Sequence, residues 1–146
     1  MRRARRAGFS LIELLTVIVV IGILASIALP LLRGAIDRAD AATIVENGRT
    51  ILLGGVLALH NTGQFPPDAA AGVVPPELAP YLAAGFDFDY EGVVTYRWES
   101  DNGPTGNTAF LYIDYSAHPG IARAMQRHEG NQAIWTDTEM IMILAQ

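Results

Sequence analysis

Apolar and polar positions follow different patterns in different parts of the chain, and the first pattern is a long apolar run. From Leu14 to Leu32, nineteen consecutive residues carry no charge, and nearly all of them are apolar. A helix from Phe9 to Leu32 would be about 36 Å long, and the hydrocarbon core of a bilayer is about 30 Å thick. This segment is therefore predicted to cross a membrane once, because no second apolar run of that length follows.

After residue 32 charged residues enter, and the apolar positions recur at helical spacing as far as residue 59. We therefore predict one continuous helix from Phe9 to about Leu59. Gly48, Gly54 and Gly55 each destabilise a helix by about 1 kcal/mol relative to alanine. A bend or an earlier end near Gly54 is therefore an open alternative.

The last third of the chain favours strands. Val93–Trp98 and Ala109–Tyr115 are rich in β-branched and aromatic residues, and the turn-rich stretch between them predicts a hairpin with a long loop. A short helix is predicted over Ile121–His128, and one or two strands within residues 133–144. The predicted fold is α+β, with a long N-terminal helix whose second half packs on a small antiparallel sheet of three or four strands. Four residues are predicted to form the core of this sheet: Trp98, Phe110, Ile134 and Ile141.

Residues 66–80 are rich in proline and alanine, which predicts a loop. The stretch also contains large apolar residues, so it is predicted to be ordered and to pack on the sheet. A short helical turn is predicted from Glu77 to Leu82, directly after two prolines.

Composition narrows the functional classes. The 146 residues carry a formal charge of −5, which argues against nucleic-acid binding. Apolar residues make up 51% of the chain, which excludes a disordered tail. The lack of cysteine excludes disulfides, thiolate metal ligands and a cysteine nucleophile. The three histidines lack metalloprotease spacing, and no nucleophile elbow surrounds Ser116, so we expect no enzyme.

Four of the ten basic residues lie in the first six positions, before the apolar run: Arg2, Arg3, Arg5 and Arg6. Arginine flanking an apolar helix remains on the cytoplasmic side, so the N-terminus is predicted to be cytoplasmic. A secretory signal peptide would share this start, but its apolar core is usually only about 7–15 residues long. A plain membrane anchor would also fit, although it does not explain Glu13.

Glu13 is the one charged residue between Phe9 and Leu32. An ionised side chain in the bilayer interior costs several kcal/mol unless it is paired, and the chain offers no cation nearby beyond the arginine cluster. A cut after Gly8 would create an α-amino group on Phe9, on the same helix face as Glu13. We therefore predict that this amine pairs with Glu13, within one chain or between neighbouring chains.

The residues from Gly8 to Leu15, GFSLIELL, resemble the cleavage and methylation motif of type IV prepilins and type II secretion pseudopilins. The resemblance implies that the α+β fold is pilin-like. It also implies cleavage after Gly8, N-methylation of Phe9 and a role for Glu13 in filament assembly. Pro30 also fits the family pattern, and Gly22 and Pro30 are the positions where the family's local melting of this helix would occur. The implied partners are a prepilin peptidase and methyltransferase, other pilin or pseudopilin subunits, and an assembly platform in the inner membrane.

The predicted organisation follows from these segments. Residues 1–8 form a cytoplasmic leader, residues 9–32 a transmembrane and assembly helix, and residues 33–146 a periplasmic head. The subunit is predicted to reside in the inner membrane and then in a periplasmic or surface filament, with no cofactor. A single-pass, membrane-anchored periplasmic binding or enzyme domain is the alternative from a different class.

One acidic stretch suggests a metal site. Asp87, Asp89 and Glu91, followed by Gly92, match the start of a calcium-binding loop. The twelfth position of such a loop should be a bidentate glutamate, but here it is Trp98. Two interpretations therefore remain open: a weak calcium site, or a half-buried strand whose acidic face is solvated.

Overall fold

The computed structural model describes residues 10–103, 106–129 and 133–145. Within these ranges lie a long helix α1 (Leu11–Thr62), a five-stranded sheet and a short helix α2 (Ala122–Glu129). The α+β, pilin-like prediction is confirmed. The chain forms two compact units that divide between Ile36 and Asp37.

The first unit contains the N-terminal part of α1. Every residue from Ser10 to Arg33 is exposed, and this part of the helix is long and apolar enough to cross a membrane. Its two hydroxyl groups are bonded to the helix backbone: Thr16 Oγ1 donates to the Ile12 carbonyl at 2.8 Å, and Ser26 Oγ to the Ile23 carbonyl at 2.7 Å. The hydroxyls of Thr16 and Ser26 therefore require neither water nor a neighbour as their acceptor.

In the second unit α1 continues without a break as far as Thr62. The prediction of one long helix is confirmed, and the helix does not end at Gly54. It stops at Gly63, which adopts a left-handed conformation with φ of 80° and donates its N–H to the Leu59 carbonyl at 2.8 Å. Glycine suits this position because it has no Cβ to strain that conformation.

The sheet is antiparallel throughout, with the strand order β1-β2-β3-β5-β4. The prediction of three or four strands is wrong. The sheet in the described residues has five strands, and two of them are only two residues long. The predicted long loop after Trp98 is also wrong, since pairing continues until Gly103 lies opposite Gly106. The strands are β1 (Asp89–Tyr90), β2 (Val94–Gly103), β3 (Gly106–Asp114), β4 (Ile134–Trp135) and β5 (Glu139–Ala145).

One face of the sheet packs on α1 and forms the core. Trp98 is completely buried there, as predicted. The predictions for three other residues are wrong: Phe110 and Ile141 are only partly buried, and Ile134 is 53% exposed. Strands β3 and β5 are apolar at both odd and even positions, so alternation alone did not determine which set faces the helix. The buried set on these strands is Ala109, Leu111, Ile113, Met140 and Met142.

The glycines that weaken α1 in isolation let other elements approach it closely: Gly48 and Gly55 face the sheet, and Gly54 faces Leu78 and Leu82 of the loop. Gly48, Gly54 and Gly55 are all buried. A Cβ atom on Gly55 would lie 2.3 Å from Cη2 of Trp98, closer than two carbon atoms can approach. The edge of the indole at Cη2 therefore points at bare helix backbone.

We expect Gly55→Ala to lower the free energy of unfolding of the second unit by about 1–3 kcal/mol through overpacking. Gly48→Ala is the matched control, because its Cβ would meet only the flexible ends of Ile113 and Met142, at 3.1 and 3.2 Å. Both variants gain the same helix propensity. Urea unfolding of the full chain in detergent should therefore show a larger loss for Gly55→Ala, and equal stabilities would contradict the close contact with Trp98.

The proline-rich loop covers the outer edge of β2, as predicted. Its backbone N–H groups at Ala69 and Gly72 donate to the carbonyls of Trp98 and Tyr96, at 3.0 and 2.9 Å. The indole Nε1 of Trp98 donates to the carbonyl of Pro66 at 2.9 Å. The helical turn expected within Glu77–Leu82 is present as a 3-10 turn, Ala79–Tyr81.

Two hydrogen bonds lie at opposite ends of this unit. At one end, Asn107 Nδ2 donates to the carbonyl of Gly63, directly after α1, at 3.3 Å. At the other end, the buried hydroxyl of Tyr96 donates to the carbonyl of Ile44 at 2.9 Å. Burial raises the pKa of the Tyr96 hydroxyl, which remains neutral and keeps this donor.

Candidate functional site

The start of α1 carries the charge that the sequence singled out. Glu13 lies in the first turn, and its Oε2 accepts a hydrogen bond from the backbone N–H of Ser10 at 2.9 Å. A glutamate that reaches back three residues is one half of a capping box, which satisfies a backbone donor at a helix N-terminus. Capping within one chain is therefore an observed role of Glu13.

The surroundings of Glu13 are apolar and exposed. Its neighbours Leu11, Ile12 and Leu14 are 82%, 67% and 58% exposed. The second carboxylate oxygen, Oε1, accepts no hydrogen bond from a residue in the described part of the chain. Glu13 can therefore cap its own helix through one oxygen and accept a further donor through the other.

Of the other predicted processing and assembly residues, only Gly22 and Pro30 lie in the described part of the chain. Gly8 and Phe9 lie outside the described residues, so cleavage, methylation and the pairing of the Phe9 amine remain predictions. Gly22 lies within α1, and a Cβ on it would meet nothing within 4 Å. Pro30 also lies inside the helix, which continues past it.

The acidic stretch of the calcium hypothesis forms a tight turn before β2. Asp87 Oδ1 accepts the N–H of Asp89 at 3.0 Å, and Asp89 Oδ1 accepts the N–H of Gly92 at 2.8 Å. Glu91 and Gly92 both have positive φ, 52° and 70°, a pairing typical of a type I′ turn. Carboxylate oxygens therefore hold this turn without requiring an ion.

Burial in this stretch follows the strand interpretation. Asp87, Asp89 and Glu91 are exposed, whereas Phe88 between them is completely buried. Among the residues that the structure describes, no three metal-ligating side chains lie close enough to hold an ion. The alternation is that of a strand with one buried and one solvated face.

A charged cluster on the outer face of the sheet was not anticipated from the sequence. Arg97 forms ion pairs with Glu99 and, at 3.3 Å, with Glu139. Its guanidinium carbon also lies 3.8 Å from the centre of the Tyr112 ring. Glu99 lies two residues from Arg97 on β2, and strand register adds Tyr112, which lies opposite Arg97 across the β2–β3 pair.

A cleft of about 330 Å³ lies where α1 ends. Ala58, Phe65 and the two prolines that follow Phe65 supply its apolar wall, and Gln64 and Glu77 supply polar groups at its rim. The Asn102 amide also lines it, and is bonded to the backbone N–H and carbonyl of Phe65 at 2.9 and 3.2 Å. No motif in the sequence indicated this cleft, since its walls come from three separate segments.

Comparison with known proteins found matches that cover part of this chain. Residues 3–29 match the family model described as the prokaryotic N-terminal methylation motif. The chain is similar to type II secretion system core protein G of Klebsiella michiganensis, with 47% identity over 47 residues, or 32% of this chain and 33% of that protein. It is also similar to core protein G of Aeromonas hydrophila, with 43% identity over 47 residues. The match spans about a third of the length of each relative, and no solved structure matches the chain.

Proposed function

We propose that this chain is a structural subunit of a type II secretion pseudopilus, cleaved after Gly8, N-methylated at Phe9 and assembled through its apolar N-terminal helix. The observation that carries the proposal is the methylation motif over residues 3–29. The two relatives named type II secretion system core protein G point to the secretion pseudopilus rather than to a surface pilus. That similarity covers 47 residues, about a third of the chain.

The surface of α1 supports assembly by helix packing. The helix is apolar on all sides from Leu14 to Leu32 and exposed throughout, which is the surface expected of a helix surrounded by lipid or by other helices. Leaving the membrane would expose these side chains to water at about 25 cal/mol per Å² of apolar surface. A bundle of identical helices offsets this cost, because each apolar side chain then packs on another copy.

Processing would change the charge of the subunit. Removing residues 1–8 removes four arginines and leaves six against fifteen acidic residues. Those four arginines are also the residues that anchor the N-terminus on the cytoplasmic side. We infer that cleavage by the prepilin peptidase releases the subunit from this anchor and prepares it for extraction by an assembly platform in the inner membrane.

Gly8→Val tests the processing step. The β-branched side chain should not fit beside a peptidase site at the membrane face, so the variant should remain in the membrane as the full-length chain. Ala4→Val, inside the leader but away from the cut, should be processed normally. Intact mass of both membrane-extracted variants measures the outcome. Shortening of Gly8→Val by eight residues at the normal rate would refute cleavage at this motif.

A further inference from the structure

The cleft at the end of α1 combines an apolar wall with unused polar groups. The Glu77 carboxylate and the Gln64 carboxamide both line it, and both residues are exposed. Neither side chain forms a hydrogen bond or ion pair with any residue of the described part of the chain. The Asn102 amide, in contrast, is already occupied by the backbone of Phe65.

This arrangement fits an arginine side chain. The three methylene groups of arginine pack on apolar surface while the charged end remains accessible, and the planar guanidinium binds carboxylates. The apolar wall and the Glu77 carboxylate offer both contacts within one cleft, whereas the Phe65 ring itself is buried against Trp98. If the occupant is a second copy of this chain, arginine is the side chain that supplies both a permanent positive charge and an apolar stem, because the chain contains no lysine.

The arginines of the second unit differ in whether they are already paired. Arg97 is bound by Glu99, Glu139 and the Tyr112 ring, and Arg49 lies 3.9 Å from Glu46. Arg38 on α1 is exposed and forms no ion pair in the described part of the chain, but it is a single charge. Arg123 and Arg127 lie one turn apart on α2, are exposed and place two charges on one helix face. Neither forms an ion pair with a carboxylate whose side chain the structure describes.

The cleft and the start of α2 lie at opposite ends of the unit. The cleft contacts Ala58 and Thr62, whereas β3 ends near Ile44 because Ile113 pairs with Tyr96, whose hydroxyl reaches the Ile44 carbonyl. Two successive tight turns then lead from β3 into α2. From Ile44 to Ala58 the helix rises about 21 Å, several times the length of an arginine side chain.

We propose that the cleft of one subunit binds the Arg123–Arg127 face of α2 from a second copy, with Glu77 as the counter-charge. The two surfaces differ and lie at different ends, so the contact is heterologous, and repetition of such a contact builds an open filament. The inference rests on the proposed function and specifies how neighbouring heads make contact. It assigns part of the assembly energy to the heads rather than to the apolar helices.

Charge reversal tests this contact in cells that assemble the filament. Glu77→Arg should lower the share of the chain that sediments as sheared filaments by about tenfold, as expected for a close charge pair at an interface. Arg123→Glu with Arg127→Glu should have the same effect, and combining all three changes should restore the yield. Glu91→Arg, at an exposed carboxylate outside the cleft, should assemble like the wild-type chain. Wild-type yields from the reversals, or no recovery in the combination, would overturn the proposal.

Cysteine pairs locate the contact without changing the charges. The chain has no cysteine of its own, so Pro76→Cys beside Glu77 and Gln126→Cys beside Arg127 supply the only thiols. Oxidised filaments should yield a ladder of linked subunits from this pair, and far less from Glu91→Cys with Gln126→Cys. Filaments that form without the ladder would refute the head contact and leave the proposed function intact. A wild-type chain that forms no filaments would refute both.

Discussion

Glu13→Leu is expected to reduce entry into filaments by about a hundredfold or more. A carboxylate in a low-dielectric helix bundle needs a cation, and the amine created on Phe9 is the nearest candidate along the chain. Removing one partner of such a buried pair costs about 3–5 kcal/mol, because the other charge is left unpaired, and every 1.4 kcal/mol is a factor of about ten. The same change should improve membrane residence, since it removes a charge from lipid.

Glu13→Gln separates the two roles of this side chain. Glutamine retains an oxygen that can accept the Ser10 N–H but loses the negative charge, so capping survives and the ion pair does not. Each variant is co-expressed with the wild-type chain, and its share in sheared filaments is compared with its share in the membrane. We expect both variants to be excluded. Normal incorporation of Glu13→Gln would show that the capping bond seen in the structure is the whole role of Glu13.

Trp98→Ala is expected to lower the free energy of unfolding of the second unit by about 3–5 kcal/mol. The indole is completely buried, packs against the bare backbone at Gly55 and meets the Phe65 ring edge-on with centroids 6.0 Å apart. Its Nε1 donor also fixes the proline-rich loop through Pro66. A cavity would therefore open where helix, sheet and loop meet.

Trp135→Ala is the matched control for this prediction. Trp135 is only partly buried and lies on the two-residue strand β4, so its loss should cost clearly less. Thermal unfolding of the full chain in detergent, followed by circular dichroism, compares the two variants. Equal melting temperatures would show that Trp98 does not organise the core.

The long helix, the hairpin strands and the ordered proline-rich loop were all predictable, because each has a strong local signal. It was not predictable which of the two alternating sets of side chains on β3 and β5 faces α1. In Ala109–Tyr115 both alternating sets are largely apolar, and the choice depends on which set fits the glycine-lined surface of α1. The same holds for Gly55, whose cost to the helix is visible locally but whose contact with Trp98 exists only in the assembled unit.

The candidate sites also differ in whether the sequence alone could identify them. Glu13 was identifiable from the sequence because a carboxylate within an apolar run is costly wherever the chain folds. The cleft was not, since Ala58, Phe65 and Glu77 carry no shared motif and meet only when the loop folds back over the end of α1. Arg97 likewise acquires Glu139 and the Tyr112 ring through strand register, whereas Glu99 lies two residues away on the same strand.

The most direct test of the account is the intact mass of this chain recovered from sheared filaments of cells that produce the secretion components. The account predicts a single species that begins at Phe9, lacks Met1–Gly8 and carries one added methyl group. Recovery of the chain only from membranes, with Met1 through Gly8 still attached, would contradict the assignment as a processed filament subunit.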